Sequence, residues 1–461
     1  MAPVGKSAAS RPGAEASKPS APCKRRGFLL GAGALTAGSG ASGKGFAAPT
    51  HPSGAAPIDR SCRVSGGRLD ALVAKAYPLF NKPMILPDFD PQSLGARADV
   101  DLHRLVTRTV VPETGETLTV SGLLALPAGA RGELPVVSWQ HGTILSFDQV
   151  PSTLLRLADP AYETTDAADS LETLFNVQRF AARGYAVVAA DYVGKGPFRD
   201  GRGEGYAVKG VTVRTCLDML ATGVRALRSL GCRPGKLFLH GWSQGALNTQ
   251  WLHQALRARS RPVAATAVAS PFNDLNEAFR FWAGVQSFPL PRGTAAYPAL
   301  PGWISLCMII ALGSYALQYR LDGLMQSAIR PEFHALALKF RHDYKLDFAR
   351  GKTFPTGAEL LVPGFFEGFT AAPNSAFLRA LAANRATYWA YDSPIRFDYG
   401  LADEAIHPAM VFPALAAGGQ AARGVAVAGA SHRGTFLAGL YGEAATLDGA
   451  QNLPDWFESI R

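Results

Sequence analysis

Charge is scarce in this sequence: Asp, Glu, Lys and Arg make up 18% of its 461 residues. Cysteine is scarcer still, five in all, and none stands in a C-x-x-C pair, which removes zinc-ribbon and dithiol redox chemistry from consideration. Apart from Cys23, the cysteines Cys62, Cys216, Cys232 and Cys307 allow three disulfide pairings. A chain this long does not need such staples, so free buried thiols are expected. Internal repeats are missing too, which excludes solenoids and propellers. The formal charge of +10 is less than it looks, because residues 1–47 hold seven Lys or Arg against one Glu and leave 10 − 6 = +4 for the rest. No nucleic-acid partner or acidic surface is indicated. What is abundant is apolar content, 48%, enough for a sizeable globular core.

The front of the chain has its own grammar. Lys24-Arg25-Arg26-Gly27-Phe28-Leu29-Leu30, followed by a Gly/Ala-rich apolar stretch to about Ser39, reads as a charged n-region and an h-region too short to span a bilayer. The paired arginines resemble a twin-arginine export signal, with Lys24 where Ser or Thr is usual. Residues 1–47 are therefore expected to direct export to a periplasmic or extracellular location, with cleavage near Ala47-Ala48. A disordered basic tail is the competing reading. Cys23 precedes the arginines and no apolar lipobox precedes Cys62, so no lipid anchor is expected.

After an N-terminal extension, 48–100, short β-rich runs alternate with helix-like segments, the pattern of a mostly parallel sheet covered on both faces. Leu102 to Val111 and Glu116 to Leu126 read as an antiparallel pair. Pro135 to Gln140, Tyr185 to Asp191, Lys236 to Gly241, Ala264 to Ala269, Pro394 to Tyr399 and Gly424 to Ala428 read as buried strands. Helical spacing occupies Thr173 to Arg183, Thr212 to Leu230, Ala246 to Ala258, Asp403 to Ala416 and Thr435 to Leu440. The interval between the sixth and seventh of these strands is far longer than an ordinary connection and predicts a helical cap over 273–392. The cap divides a core of 101–272 and 393–461. Within it, Gly302 to Tyr319 carries no charge and approaches the length of a membrane span. Its Gly313, Ser314 and Gln318 favour a buried cap helix, and membrane attachment is the alternative.

Gly241-Trp242-Ser243-Gln244-Gly245 is a weak signal alone but follows the apolar strand Lys236 to His240 and opens a helix at Ala246. A strand-turn-helix with small residues on both sides of a serine exposes that hydroxyl above a sheet, the geometry a nucleophile needs. Serine requires a base, and His432 in Gly429-Ala430-Ser431-His432-Arg433-Gly434 follows a strand end. His103, His253, His334 and His342 lack that punctuation, while His240 could line the site or pack beneath the turn. Asp403, just past another strand, is the expected orienting acid. Glu404 reads as a solvated helix N-terminal charge and Asp398 as a strand residue. Asp274, after the preceding strand, is the alternative acid. An oxyanion would be met by the backbone N–H of Gln244 and that of Thr143, in Trp139-Gln140-His141-Gly142-Thr143. Trp242 and, from the cap, Trp303 and Met308 are the candidate substrate contacts. Asp191-Tyr192-Val193-Gly194-Lys195-Gly196 is expected to shape the rim.

Four segments, the Gly-x-Ser-x-Gly turn, the His-Gly-Thr strand end, the Asp-Tyr-x-Gly-x-Gly loop and Gly400-Leu401-Ala402-Asp403-Glu404-Ala405-Ile406-His407-Pro408, together resemble the α/β-hydrolase superfamily over about residues 100–445. With the leader and the insertion, the sequence is similar to secretory lipases and related bacterial esterases. The resemblance implies an α/β fold with a cap, ester hydrolysis through an acyl-enzyme on Ser243, and no cofactor or metal. It also implies a small ester or lipid as substrate, with an apolar cap favouring alkyl or aromatic acyl groups. A peptidase on the same scaffold, or a non-catalytic binder of apolar ligands, are the alternatives.

Overall fold

The computed structural model describes residues 57–345, 354–367 and 376–461. The leader and its expected cleavage site lie outside them. Among the described residues nine strands form one sheet in the order β1-β2-β3-β5-β4-β6-β7-β8-β9. The strands are β1 (Ile58–Val64), β2 (Val100–Val110), β3 (Thr117–Pro127), β4 (Gly132–Gln140), β5 (Ala186–Ala190), β6 (Cys232–Trp242), β7 (Ala265–Ala269), β8 (Ile395–Gly400) and β9 (Ala422–Val427). From β5 through β4 to β9 all neighbours are parallel, while β1, β2 and β3 add an antiparallel flank.

Strand alternation divides the core. Val136 and Leu239 turn to one face, and Val137 and Phe238 to the other, so each strand feeds two apolar clusters. The first face carries helices Lys209–Ser229 and Gln244–Arg257; the second carries Gly66–Phe80, Leu171–Arg179, His432–Tyr441 and Leu453–Ile460. Among the elements the structure adds to the sequence reading are β1, helix Gly66–Phe80 and helix Leu453–Ile460. β1 reads Ile-Asp-Arg-Ser-Cys-Arg-Val, an edge strand too polar to stand out.

With β1 counted, the mainly helical insertion falls between the seventh and eighth strands. Its central helix, Ile304–Gln318, is buried nearly throughout. Tyr315 Oη donates to the carbonyl of Ala207, and Ser314 Oγ accepts from the N–H of Tyr206. No helix of the described residues is long and apolar enough to cross a membrane. Beneath the insertion Lys195 and Glu204 form a buried ion pair at 2.8 Å, and Tyr344 Oη also donates to Glu204. The loop that holds Lys195 is thus packed inside rather than forming a rim: Asp191 is fully buried and takes hydrogen bonds from Ser121 and Ser152. The described cysteines are unpaired; Cys216, Cys232 and Cys307 are buried and Cys62 half-buried.

Candidate active site

Ser243 sits where β6 ends and helix Gln244–Arg257 begins, with φ 56° and ψ −121°. A non-glycine residue rarely holds such a backbone, and the surroundings must enforce it. They do so by close approach. A Cβ at Gly245 would lie 1.9 Å from the carbonyl oxygen of Gln140, and one at Gly241 would lie 2.2 Å from Thr249 Oγ1. The N–H of Ser243 is tied to the carbonyl of Ala269 on β7 at 2.9 Å.

The histidine comes from the other end of the chain. Ser431 caps helix His432–Tyr441 by accepting from the N–H of Gly434, and His432 is its first residue. The imidazole Nδ1 lies 3.0 Å from each carboxylate oxygen of Asp403. That contact fixes the tautomer with the proton on Nδ1 and leaves Nε2 free to accept. Asp403 is fixed in turn, since its Oδ1 accepts from the N–H groups of Ala405 at 3.0 Å and Ile406 at 2.8 Å. Burial pushes the imidazole pKa down, but the Asp403 charge and hydrogen bond, with help from Glu404, outweigh it and leave the pKa raised.

The expected helix from Asp403 to Ala416 is absent at its front. Pro408 disfavours helix at the residue before it, His407 is held non-helical with ψ 133°, and α-helix begins only at Phe412. Glu404 is consequently not a solvated helix-end charge: its Oε2 accepts from the backbone N–H of His432 at 2.9 Å. Asp398 is buried against Arg396. Asp274 caps helix Leu275–Trp282 and lies 3.7 Å from Arg385, far from this arrangement in its partners.

Ser243, His432, Thr143, Trp242 and Trp303 line one cavity of about 450 Å³. Trp242 Nε1 donates to the carbonyl of His432, and the Trp242 and His432 rings are 5.0 Å apart. Gln244 is buried at the first position of its helix, and no turn or loop hydrogen bond among the described residues uses the N–H of Gln244 or Thr143. The side chain of Thr143 meets Tyr206 Oη at 3.0 Å. Met308 does not reach the cavity. It is wholly buried, with its sulfur against Gly357, because helix Ile304–Gln318 directs that face into the apolar cluster it shares with the sheet's first face. The cavity is also more polar than an apolar cap suggested. Lys82, Gln149, Asp166, Glu404, Ser431 and Arg433 line it, with Arg433 paired to Asp166 at 2.8 Å. Leu79 and Lys82 come from the segment read as an extension, where no motif marks them.

The two other histidines near the strand ends are different. His240 is buried under the turn, bonded to Asn176 and stacked on Phe436; burial, with a smaller push from Arg396, lowers its pKa to about 3. His141 stacks on Tyr192, and burial, with the Lys195 charge, likewise lowers it to about 3. Among the described residues no group of three or more His, Cys, Asp or Glu side chains is arranged to hold a metal.

No family model matches the sequence, and no curated protein matches it. Solved structures do. A protein from Legionella pneumophila, 17% identical, superposes with a TM-score of 0.67 over 87% of this chain and 98% of its own. The rice cell wall degrading esterase LipA from Xanthomonas oryzae, 19% identical in its ligand-bound form, gives 0.64 over 88% and 97%. Candida antarctica lipase A in its closed state, 13% identical, gives 0.54 over 82% and 77%. The chain has the α/β-hydrolase fold. In an α/β hydrolase the loops at the carboxyl ends of the parallel strands collect the functional groups. Here β4 delivers Thr143, β6 delivers Ser243, β8 delivers Asp403 and β9 delivers His432.

Proposed function

We propose that this α/β hydrolase cleaves carboxylic esters, with Ser243 as nucleophile, His432 as base and Asp403 as the acid that orients it. The observation that carries the reading is the pairing of His432 Nδ1 with both oxygens of Asp403 in a cavity that Ser243 shares. Ser243 Oγ attacks the ester carbonyl while His432 Nε2 takes its proton, and the imidazolium so formed is stabilised by the Asp403 carboxylate. The tetrahedral oxyanion is met by the free N–H groups of Thr143 and Gln244, each worth about 100- to 1000-fold in rate. His432 returns the proton to the leaving alcohol, and water repeats the cycle on the acyl-enzyme. An esterase and a lipase among the structural neighbours support ester chemistry.

Hydrolysis of a nitrophenyl ester series from about two to sixteen acyl carbons, by the wild type and by Ser243→Ala, tests this. Activity confined to the wild type is expected, and full activity in the variant would overturn the mechanism. Anilide and peptide substrates run beside the esters separate esterase from peptidase. We further propose that residues 1–47 export the protein, supported by Lys24-Arg25-Arg26-Gly27-Phe28-Leu29-Leu30. Replacing Arg25 and Arg26 by Lys should retain the protein in the cytoplasm of a bacterial host, as read by cell fractionation.

A further inference from the structure

Two adjacent carboxylates hold one histidine. Asp403 takes the imidazole, and Glu404, the next residue, takes the backbone N–H of that same His432 at 2.9 Å. Because His432 is the first residue of its helix, this N–H has no acceptor inside the helix. A carboxylate there also meets the positive end of the helix dipole. Glu404 is half-buried and lines the cavity that contains Ser243, so its charge acts in a partly desolvated space.

We propose that Glu404 is a positioning residue for the reaction: it anchors the main chain of His432 while Asp403 orients the ring, and it adds a second negative charge beside that ring. The proposal rests on the reading of His432 as the base.

The geometry separates the two carboxylates' tasks. Asp403 spends Oδ1 on Ala405, Ile406 and the imidazole, which leaves the helix start to a different group. Ser431 cannot hold His432, since its Oγ accepts from Gly434 and donates to the carbonyl of Lys82. Trp242 grips the carbonyl of His432 but leaves the N–H untouched. Without Glu404 the helix's first turn would lose its only side-chain anchor at that N–H, and the ring would pivot about its contact with Asp403. Misplacement of a base by about 1 Å can cost roughly 100-fold in rate.

The other charges that face this histidine do not substitute. Arg433 follows it in sequence and opposes protonation, but is paired to Asp166. Lys82 stands on the same cavity wall. Glu172 lies buried behind Arg433, and His407, whose own pKa burial lowers to about 4, faces Asp403 rather than the His432 ring. Of the carboxylates beyond Asp403, Glu404 is the one bonded to His432.

Two substitutions separate the anchor from the charge. Glu404→Gln keeps an oxygen acceptor for the N–H and removes the charge; Glu404→Ala removes both. The ester hydrolysis of each is followed against pH, and the His432 imidazole is titrated directly by NMR in the full protein. Glu404→Ala is expected to lower kcat by roughly 10- to 100-fold with KM little changed. Glu404→Gln is expected to recover most of that loss, while both the acid limb of kcat/KM and the NMR titration move to lower pH. Equal impairment of the two variants with an unmoved titration would make Glu404 merely structural and overturn the proposal, as would two variants indistinguishable from wild type. If instead the wild type neither hydrolyses esters nor reacts with a fluorophosphonate, the hydrolase reading has failed, and the NMR titration still decides whether Glu404 tunes the ring.

Discussion

The loops at the strand ends and the insertion between β7 and β8 meet at the same cavity under different constraints. In the loops, nearly every group is fixed by a second one. Ser243 is held by Ala269, His432 by Asp403, Glu404 and Trp242, and Asp403 by two N–H groups. In the insertion, most buried side chains join the apolar cluster that covers the sheet's first face, and among the described residues its contribution to the cavity wall is Trp303. Tyr297 forms a further link by donating to the carbonyl of Asp403. Chemistry needs positions held to fractions of an ångström, whereas a wall needs only to exclude water and offer shape. The loops should therefore tolerate almost no change, and the insertion should tolerate change in proportion to its burial.

The largest effect that tests this contrast is Asp403→Asn, expected to reduce kcat by about 10⁴-fold on esters because the amide reverses the tautomer preference of His432. A loss of only a few-fold would move the orienting role elsewhere. Gly245→Val comes next. With no room for a Cβ beside Gln140, the variant is expected to lose several kcal/mol of stability or fail to accumulate folded, as read by thermal denaturation. On the insertion side, Met308→Ala should cost about 2–5 kcal/mol of stability while the folded fraction keeps its kcat/KM, since Met308 is buried away from the cavity. Trp303→Ala should do the reverse, altering acyl-chain preference by a few-fold at nearly unchanged melting temperature. If Met308→Ala instead shifts substrate preference, the division between packing and wall within the insertion is wrong.

The pH dependence sharpens the same comparison. His432 must be neutral to accept the serine proton, and its pKa is raised, so ester hydrolysis should fall on acidification at a pH above the ordinary histidine value of about 6.5. His240 and His141 run the other way. Their folded pKa values, near 3, lie below that of the unfolded chain, so they favour the folded state fully above pH 6.5 and progressively less as pH falls toward 3. Activity should thus be lost at a higher pH than stability. Parallel pH curves for hydrolysis and for thermal unfolding would show it.

Much of this was legible in the sequence, and the reasons are physical. Strands buried on both faces, such as β5 and β7, are short, mostly apolar runs, and their length and flanking turn residues separate them from buried helices. Close backbone approach demands glycine, which is why the turn around Ser243 announced itself. Of the three residues in the order Ser243, Asp403, His432, the structure brings the first and last to one cavity and pairs the buried Asp403 with the His432 ring. What escaped was whatever depended on a partner. The polar edge strand β1 gains its meaning from pairing with β2. Where a helix was expected from Asp403 there is a loop, whose Asp403 carboxylate is shared between Ala405, Ile406 and the distant His432. Glu404 looked like any surface acid until His432 arrived from 28 residues away. Helical spacing marks Trp303 and Met308 as apolar alike, and only packing separates the wall from the interior.

One hydrogen bond bears on the order in which the chain is made. Ser431 donates to the carbonyl of Lys82 across 349 residues, and both residues stand on the cavity wall beside Ser243. A chain being synthesised from its front has its nucleophile long before it has His432, and the wall joins only once Ser431, 431 − 243 = 188 residues after Ser243, has been made. Until then Ser243 has neither its proposed base nor an enclosure, so on the proposed mechanism the growing polypeptide carries a serine that cannot yet act on whatever it meets.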